Sequence, residues 1–547
     1  MGSIVCTDEV PVTFQGPKAS EKPRLLPHVL DDFAARDPDY IVGITAKSNV
    51  DSAIPYSSTT LSVVQLANAV NYVSQWLDNL LGASSDQTIA FIGLQDFRYW
   101  VMEVAAIKTG HCLLLPSPRN APSNTLSLLQ ATSCQTVLYS GVATPIESHV
   151  QMLQSQRPHI KIHSIPSLEM MIAEKAEHYP YSKAYEEAKH DNVLILHTSG
   201  STGCPKPIYI NHAYIKRADS EHLTPLVEGR ILAHTGTLPG PMYNGPPFFH
   251  LSGLVVGYRA IFGGLTVTIA PPTLPSTPQL ACDILRSFEL KSIVAAPHIV
   301  DSIFAEHGEE LKGPLAPSTG TWITTHLPHV HLWQFYGSTE AAWFPMLIVP
   351  KTHWSYMEFH PSPSLSPTFE RVANTNLHEL TIHNTTHTDP DSAWSRPVFE
   401  IFPEKKIWRT RDLFRRCEDP GFENLWKFEG RVDDILVLNN ALKVNALHLE
   451  VALQSHPLLH GSVVFGQGRM RCGLLIEAKG VREEVFGSVW EAVEEVNKGL
   501  PEHARIQREM LVFAEAGRPF VRAAKGTIVR AATTALYEKE IKILYGC

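Results

Sequence analysis

The sequence has little that would support a disulfide-stabilised protein or a zinc ribbon. Its 547 residues include eight cysteines, none of them in a C-x-x-C pair and none at a regular spacing. This distribution argues against both classes and is typical of free thiols in a reducing compartment. We therefore expect a cytoplasmic protein.

Positive charge is also scarce. Lys and Arg number 46 against 55 Asp and Glu, which gives a formal net charge of −9. A mildly acidic chain is poorly suited to binding nucleic acid or anionic lipid through bulk electrostatics. No apolar run reaches the ~18 residues of a membrane span, and the first residues lack the basic and apolar regions of a secretory signal. We expect no nucleic-acid partner, no membrane association and no signal peptide.

Apolar residues are abundant, and their arrangement predicts the fold class. They make up 44% of the chain, which is enough for large buried cores. Strand-like runs occur at 88–94, 111–117 and 192–200, and a helix-like stretch lies at 96–110. Such alternation is typical of parallel sheets with helices on both faces. The predicted fold class is α/β.

The pattern changes past residue 430. The remaining ~115 residues are enough for a separate small domain. They contain strand-like runs at 461–468 and 472–478, followed by a helix whose apolar face includes Val485, Val489 and Val493. We predict a large N-terminal α/β domain over 1–432 and a small, mobile α+β domain over 433–547.

One segment carries a strong chemical signal: the run from His197 to Lys206, which directly follows the strand-like NVLIL. Two glycines permit a tight loop whose backbone N–H groups can point at phosphate oxygens. Lys206 adds a cation that can reach the same anion, and the spacing is not that of a Walker A loop. The predicted phosphate-binding residues are Thr198, Ser199, Gly200, Ser201, Thr202, Gly203 and Lys206.

This loop resembles the phosphate-binding motif of the adenylate-forming superfamily, which includes acyl-CoA synthetases, luciferases and adenylation domains of nonribosomal peptide synthetases (NRPS). Four later segments resemble further motifs of that superfamily, in its order: FYGSTE (335–340), WRTRD (408–412), GRVDD (430–434) and KGTIVR (525–530). With LPSPRN (115–120), the sequence looks most like the adenylation part of fungal NRPS-like enzymes and adenylate-forming reductases. The resemblance covers nearly the whole chain.

The resemblance implies an enzyme that uses ATP and Mg²⁺ to convert a carboxylic acid into an acyl-AMP. Glu340 is the expected Mg²⁺ ligand, since Mg²⁺ favours one or two carboxylates plus phosphate oxygens. Thr339 would hydrogen-bond the α-phosphate, and Gly337 belongs to the same nucleotide-binding motif. Tyr336 would flank the adenine.

The later motifs imply four further roles. Asp412 would accept hydrogen bonds from the ribose hydroxyls, and Arg431 would join it there. Lys525 would bridge the attacking carboxylate and the α-phosphate as the catalytic lysine. Asp433 would be the hinge about which the small domain rotates between two half-reactions.

The sequence departs from the superfamily pattern at three places. Lys525 stands two residues before Thr527, which occupies the usual position of the lysine. Arg411 replaces the glycine that precedes Asp412. In 297–336, no convincing apolar strand precedes the G-P-L turn, so we expect either that one strand of the relatives is lost here or that the gene model is trimmed.

The run FFHLSG (248–253) predicts the substrate class. It aligns with the segment in which amino-acid-activating domains have an Asp that pairs with the substrate ammonium. His250 occupies that place, and an imidazole is a poor counter-ion for an ammonium group. We predict an aryl or α-keto acid pocket containing Phe248, Phe249, His250 and Trp343, with His250 also among the catalytic residues. Core packing is the alternative for His250 and Trp343.

The first functional hypothesis is activation of a small-molecule carboxylic acid followed by transfer to a thiol, in secondary metabolism. The thiol would be the phosphopantetheine of a carrier protein or CoA. The alternatives are a free-standing acyl-CoA or amide-forming ligase, and a non-catalytic binding or regulatory protein that keeps the fold. His326, His329 and His331 resemble metal ligands, but no carboxylate or cysteine stands near them in the sequence, which favours a histidine-rich loop.

Overall fold

The structure is a computed structural model of the chain that describes most of its residues. The described residues are 2–7, 20, 22–48, 56–82, 86–141, 144–199, 205–233, 240–274, 277–295, 300, 323–325, 330–373, 375–385, 397–439, 442–454, 456–515, 517–522 and 528–545.

The described strands are short and distributed along the whole chain. They are β1 (Gly2–Thr7), β2 (Ile41–Ser48), β3 (Tyr56–Ser62), β4 (Thr88–Ile92), β5 (Cys112–Leu114), β6 (Thr136–Tyr139), β7 (Lys161–Ser164), β8 (Asn192–Ser199), β9 (Pro205–Asn211), β10 (Pro241–Asn244), β11 (Thr266–Ile269), β12 (Ser292–Ala295), β13 (Val330–Phe335), β14 (Gly337–Ser338), β15 (Ala342–Trp343), β16 (Met346–Leu347), β17 (Met357–Phe359), β18 (Thr368–Arg371), β19 (Leu377–His383), β20 (Ile407–Arg416), β21 (Leu425–Arg431), β22 (Ile435–Val437), β23 (Lys443–Asn445), β24 (Leu459–Phe465), β25 (Gly473–Ala478) and β26 (Leu511–Phe513).

The described helices alternate with these strands over the first half of the chain. They are α1 (Leu26–Arg36), α2 (Val63–Leu81), α3 (Arg98–Lys108), α4 (Pro122–Ala131), α5 (Thr144–Gln156), α6 (Leu168–Ala173), α7 (Tyr185–Ala188), α8 (His212–Asp219), α9 (Leu251–Gly263), α10 (Pro278–Ser287), α11 (Pro397–Ile401), α12 (Ala446–Gln454), α13 (Arg482–Lys498), α14 (Arg530–Leu536) and α15 (Glu538–Leu544). Within the described part of the chain, each helix is too short or too polar to span a bilayer.

The first sheet contains the strand that leads into the predicted phosphate loop. Its strand order is β7-β6-β4-β5-β8-β9, parallel except for β9, which pairs antiparallel with β8. The predicted strands at 88–94, 111–117 and 192–200 are β4, β5 and β8. The predicted helix at 96–110 is α3, whose residues are all buried because it packs against both α2 and the sheet. The predicted α/β class is confirmed.

The second sheet has seven strands in the order β13-β1-β12-β10-β11-β2-β3. Its central strands β12, β10, β11 and β2 are parallel. The N-terminal strand β1 lies between β12 and β13 and runs antiparallel to both. The predicted loss of a strand in 297–336 stays a prediction, because 301–322 lie outside the described residues.

A third sheet, which we did not predict, completes the large domain. Its order is β16-β17-β21-β20-β19-β18, and every neighbouring pair is antiparallel. In the pairing of β20 with β21, Asp412 lies opposite Arg431. This sheet therefore brings two of the predicted nucleotide-binding residues side by side.

The C-terminal residues form a second hydrophobic core, between Leu436 and Ile541. Its sheet has the order β24-β25-β26. The predicted apolar face of α13 is buried in the same core through Val485, Val489 and Val493. The short 3-10 turn Val432–Asp434 precedes this core. The boundary at 432/433 and the mobility of the small domain stay predictions.

Candidate functional site

The predicted phosphate-binding loop connects the antiparallel strands β8 and β9. Thr198 lies opposite Lys206, and Ser199 lies opposite Pro205. Thr198 is half-buried and Lys206 is exposed, so the cation is accessible at the loop end of the hairpin. Four predicted members lie outside the described residues: Gly200, Ser201, Thr202 and Gly203. The side chain of Ser199 lies outside them as well.

His197, at the base of this hairpin, joins it to a distant segment. Its Nε2 accepts a hydrogen bond of 3.0 Å from the backbone N–H of Ser117, and both residues are buried. An imidazole nitrogen that accepts a hydrogen bond carries no proton, so the ring is neutral in this arrangement. Both segments were identified from the sequence, but nothing in it indicated the contact between them.

Thr339 and Glu340 lie in the tight turn between β14 and β15. Gly337 pairs with Trp343, and Ser338 pairs with Ala342. A Cβ atom on Gly337 would lie 2.6 Å from the carbonyl oxygen of Ala342, so a larger residue would force the two strands apart. Gly337 therefore allows the close pairing that presents the Thr339–Glu340 turn.

Tyr214, which we did not predict, anchors this turn. It belongs to α8, which begins directly after β9, and its side chain is fully buried. Its hydroxyl donates a 2.9 Å hydrogen bond to the backbone carbonyl of Thr339. Burial, and then the charge of Glu340, raise the pKa of Tyr214 well above its usual value. Tyr214 thus stays protonated. Its hydrogen bond connects α8, which follows the phosphate hairpin, to the turn that contains the predicted Mg²⁺ ligand Glu340.

Tyr336, Asp412 and Arg431 form one connected group. The Tyr336 hydroxyl donates a 2.6 Å hydrogen bond to Oδ2 of Asp412, and Nε of Arg431 lies 3.7 Å from Oδ1. Burial raises the pKa of Asp412, while Tyr336 and Arg431 act to lower it and Glu340 acts to raise it. The effect of Glu340, the smallest of these, indicates that its charge lies close enough to act on Asp412.

The ring of Tyr336 is only 3% exposed and packs among other aromatic rings. Its centroid lies 6.0 Å from Phe344, 6.2 Å from Phe359 and 5.4 Å from Phe414. This packing orients the hydroxyl toward Asp412. The structure therefore adds a positioning role for Tyr336, whereas its predicted contact with adenine stays a prediction.

His250 lies at the start of α9, near the base of the phosphate hairpin. It is half-buried, and its ring centroid lies 6.4 Å from that of His197 and 4.6 Å from that of Phe249. Phe248 is fully buried against Trp100, at a centroid distance of 5.5 Å, and against Phe97. The structure gives Phe248 a core-packing role, while His250 keeps a partly open position.

Trp343 belongs to a buried charged network that the sequence did not indicate. Its Nε1 donates a hydrogen bond to Glu221, which also pairs with Arg259 at 2.7 Å. The guanidinium of Arg217 lies 5.7 Å from the ring centroid of Trp343, and burial lowers its pKa to about 10. Arg217 and Trp343 line a cavity of about 30 Å³, which has room for one or two water molecules.

Two predicted residues, Lys525 and Asp433, lie wholly or partly outside the described residues. Lys525 and its neighbour Thr527 lie outside the described residues, although the flanking residues Arg522 and Ile528 pair with each other. The backbone of Asp433 lies in the 3-10 turn Val432–Asp434. Next to it, Asp434 pairs with Arg530 at 3.3 Å, which connects the turn to the C-terminal helices.

Comparison with models of protein families tests the family relationship that these motifs suggest. The model of the AMP-binding enzyme family matches residues 31–359, and the model of the AMP-binding enzyme C-terminal domain matches 433–547. The chain belongs to the AMP-binding enzyme family. The resemblance to adenylate-forming enzymes inferred from the motifs is thereby confirmed.

Curated relatives of this AMP-binding chain include longer fungal proteins. An isocyanide synthase-NRPS hybrid, crmA, from Aspergillus fumigatus is 29% identical over 95% of this chain and 33% of its own length. A carboxylic acid reductase from Neurospora crassa is 28% identical over 89% of this chain and 47% of its own length. The chain thus spans between a third and half of the length of these relatives.

Solved structures show the same fold. The O-succinylbenzoate coenzyme A synthetase from Bacillus subtilis, in complex with AMP, superposes with a TM-score of 0.66 at 16% identity, covering 94% of this chain and 98% of that one. The adenylation domain of the carboxylic acid reductase from Segniliparus rugosus, with AMP and a co-purified carboxylic acid, gives a TM-score of 0.63 at 16% identity, covering 95% and 94%. At this identity the similarity establishes the fold of the AMP-binding chain.

Proposed function

We propose that this chain activates a carboxylic acid with ATP and Mg²⁺. The carboxylate oxygen attacks the α-phosphorus of ATP, the bond from that phosphorus to the bridging oxygen breaks, and pyrophosphate leaves while acyl-AMP forms. The observation that carries the proposal is the connected group around Asp412. The Tyr336–Asp412 hydrogen bond and Arg431 assemble a polar site that is electrostatically linked to the Glu340 turn.

The donor set suits ATP with one divalent cation. Glu340 supplies a hard oxygen ligand at an accessible turn, and Mg²⁺ is bound by one or two carboxylates together with phosphate oxygens. When bound, Mg²⁺ would neutralise phosphate charge. The exposed Lys206 opposite Thr198 supplies a second positive charge for the phosphates.

The other nucleotide contacts follow from the same arrangement. Asp412 has two carboxylate oxygens, and an ionised carboxylate can accept from more than one hydroxyl donor. Tyr336 orients Asp412, and Arg431 balances its charge, so we assign the pair Asp412–Arg431 to the ribose. On the basis of its motif, we assign to Lys525 the role of bridging the carboxylate and the α-phosphate and neutralising the charge that builds up in the transition state.

The acid is proposed to lack an α-amino group. His250 stands where amino-acid-activating relatives have an Asp, and a neutral or cationic imidazole cannot compensate an ammonium charge. Its neighbours Phe249 and His197 present ring surfaces, which suit an aryl or α-keto acid. Trp343 lies in the buried network of Glu221 and Arg217, which favours its core-packing alternative over a role in the wall of this pocket.

Transfer to a thiol is proposed for the second half-reaction. Several of the longer relatives are reductases or NRPS-related proteins, which favours the phosphopantetheine of a carrier protein, with CoA as the other acceptor. A free-standing acyl-CoA or amide-forming ligase and a non-catalytic relative remain the alternatives to be separated by assay.

Pyrophosphate release with matched pairs of acids tests the proposal. Each pair differs only in an α-keto or α-amino group, such as phenylpyruvate with phenylalanine, and benzoates complete the panel. We expect release with aryl or α-keto acids and little with the matching amino acids. A preference for amino acids would refute the pocket assignment, and no release with any acid would favour the non-catalytic alternative. Addition of CoA, a carrier protein or an amine then identifies the acceptor.

A further inference from the structure

Three different metal-ligating side chains meet on the third sheet, outside the predicted nucleotide site. His353 ends the 3-10 turn Lys351–His353, and Cys417 and Asp419 follow β20 in the connection to β21. One ligand atom from each residue, a ring nitrogen, the Sγ and a carboxylate oxygen, lies within 4.8 Å of the other two. The Nε2 of His353 is 3.0 Å from Oδ2 of Asp419.

The His353 ring is held in the orientation that a metal ligand needs. Its Nδ1 is hydrogen-bonded to the hydroxyl of Thr352 at 2.9 Å, which leaves Nε2 directed at Asp419. The ring also stacks on Phe422, with centroids 4.0 Å apart and planes 25° from parallel. Metal-binding histidines almost always engage their second ring nitrogen in this way.

The connection between β20 and β21 is also held in place by its backbone. The N–H of Cys417 donates to the carbonyl of Leu425 at 2.9 Å, and the N–H of Phe422 donates to that of Asp419 at 3.0 Å. Cys417 is 3% exposed, whereas the Asp419 side chain is 68% exposed. The thiol and imidazole thus form the buried part of this cluster, and the carboxylate forms the part that is open to solvent.

We propose that His353, Cys417 and Asp419 bind a Zn²⁺ ion. A set of one sulfur, one nitrogen and one oxygen ligand suits Zn²⁺, which binds cysteine, histidine and carboxylate in tetrahedral sites. Mg²⁺ and Ca²⁺ prefer oxygen ligands throughout, so the site differs in kind from the proposed Glu340 site. The open side leaves the fourth position to a water molecule.

The ion would link two segments that adjoin strands of the third sheet. It would join the turn at Lys351–His353 to the connection that follows β20 and precedes β21. Asp412 and Arg431 lie on these two strands, at the end away from this connection, so the ion would stabilise the strand pair that holds them. A metal that binds only the folded state stabilises it by RT ln(1 + c/Kd), where c is the free Zn²⁺ concentration.

A simple ion pair between protonated His353 and Asp419 is the competing explanation of the short contact. An ion pair requires no thiol, whereas Zn²⁺ binding does. The role of Cys417 therefore separates the two.

The test uses the full chain, freed of metal by chelator and titrated with ZnCl₂ without ATP. We expect one tight Zn²⁺ per chain and a higher melting temperature. Co²⁺ in place of Zn²⁺ should produce a thiolate-to-metal charge-transfer absorption, which reports sulfur ligation independently of other histidines. Cys417→Ser should abolish this absorption and weaken Zn²⁺ binding at least tenfold.

Matched variants control for folding and for other thiols. Cys134→Ser, at a buried thiol that donates to the Thr136 carbonyl, should bind Zn²⁺ like the wild type. Asp419→Asn alters an exposed side chain and should fold normally yet bind more weakly. Thr352→Val should cost about 10-fold in affinity, the usual effect of losing an outer hydrogen bond to a ligand. The proposal is overturned if no saturable Zn²⁺ binding occurs, or if folded Cys417→Ser and Asp419→Asn bind Zn²⁺ as tightly as the wild type.

Discussion

The hydroxyl of Tyr336 donates a 2.6 Å hydrogen bond to Asp412, 76 residues further along the chain. The bond joins the end of the second sheet to β20 of the third sheet. Asp412 is partly buried, and burial raises its pKa, so its ionised form depends on the donors around it. Tyr336 therefore helps to keep Asp412 in the state that can accept from ribose hydroxyls.

We expect Tyr336→Phe to raise the KM for ATP by about 10-fold or more, because a hydrogen bond to a charged group contributes about 1.5–3 kcal/mol. The phenyl ring keeps its packing against Phe344 and Phe414, so kcat should change less. Pyrophosphate release at varied ATP measures both constants. Tyr72→Phe, on α2, is the control. An unchanged KM for ATP would remove Asp412 from the nucleotide site.

Glu340→Gln removes the proposed Mg²⁺ ligand while keeping the shape of the side chain. We expect adenylation to fall by roughly 10²-fold or more, equivalent to about 2.7 kcal/mol of transition-state stabilisation. Lys206→Ala should cost less, because the predicted phosphate loop would keep its backbone N–H donors. The assay is pyrophosphate release across a Mg²⁺ series. Activity close to wild type at limiting Mg²⁺ would show that Glu340 is not a ligand.

Lys525→Ala separates the two half-reactions. An ammonium group between carboxylate and α-phosphate is useful only while acyl-AMP forms, so this step should slow by ~10²-fold or more. Thioester formation from chemically prepared acyl-AMP should survive, since the small domain is expected to rotate about Asp433 between steps. Thr527→Ala is the control and should be mild. Equal losses in both steps would argue against the rotation, and wild-type adenylation would argue against Lys525.

Glu103 predicts a pH dependence of stability. It is 2% exposed on α3, and although Tyr258 donates to it at 2.6 Å, burial raises its pKa from 4.5 to about 7. The folded state therefore holds a proton that the unfolded state releases between these values. The contribution of Glu103 to the free energy of unfolding is therefore fully present below pH 4.5 and is lost as the pH rises through 7.

Glu103→Gln should remove this fall in stability with rising pH. Relative to the wild type, the variant should gain on the order of 2 kcal/mol in unfolding free energy between pH 5 and pH 8. Denaturant unfolding at both pH values measures the change. Glu177→Gln, at an exposed carboxylate, should show no such gain. A constant difference between Glu103→Gln and the wild type at both pH values would contradict the expectation.

Arg411 has a φ of +63°, a conformation that favours glycine, at the position where the superfamily motif has glycine. Its backbone N–H donates to Glu379 at 3.2 Å, which holds the strand in this conformation. We expect Arg411→Gly to be more stable than Arg411→Ala by about 1 kcal/mol, since both lose the side chain but only alanine keeps the strain. Thermal unfolding of the two variants gives the comparison. Equal stability would mean that the backbone relaxes without the arginine.

Local sequence patterns predicted three strands of the first sheet, β4, β5 and β8, and the order of the motifs. The apolar runs that became β4 and β8, and the apolar stretch that became α3, are recognisable because helix and strand periodicities are local properties. The third sheet was missed because its strands have no clean alternation. In β18 and β20, exposed and half-buried residues follow one another irregularly, and such strands are hard to distinguish from loops by sequence.

The sequence by itself determined the α/β class, the family motifs and the identities of Glu340, Asp412 and Lys525 as candidates. Only the tertiary structure decided how distant segments meet. It joins Tyr336 to Asp412 across 76 residues, His197 to Ser117 across 80 and Tyr214 to Thr339 across 125. It also gathers His353, Cys417 and Asp419. The physical reason is that strand order and long-range pairing depend on the packing of whole sheets, which a local sequence pattern does not specify.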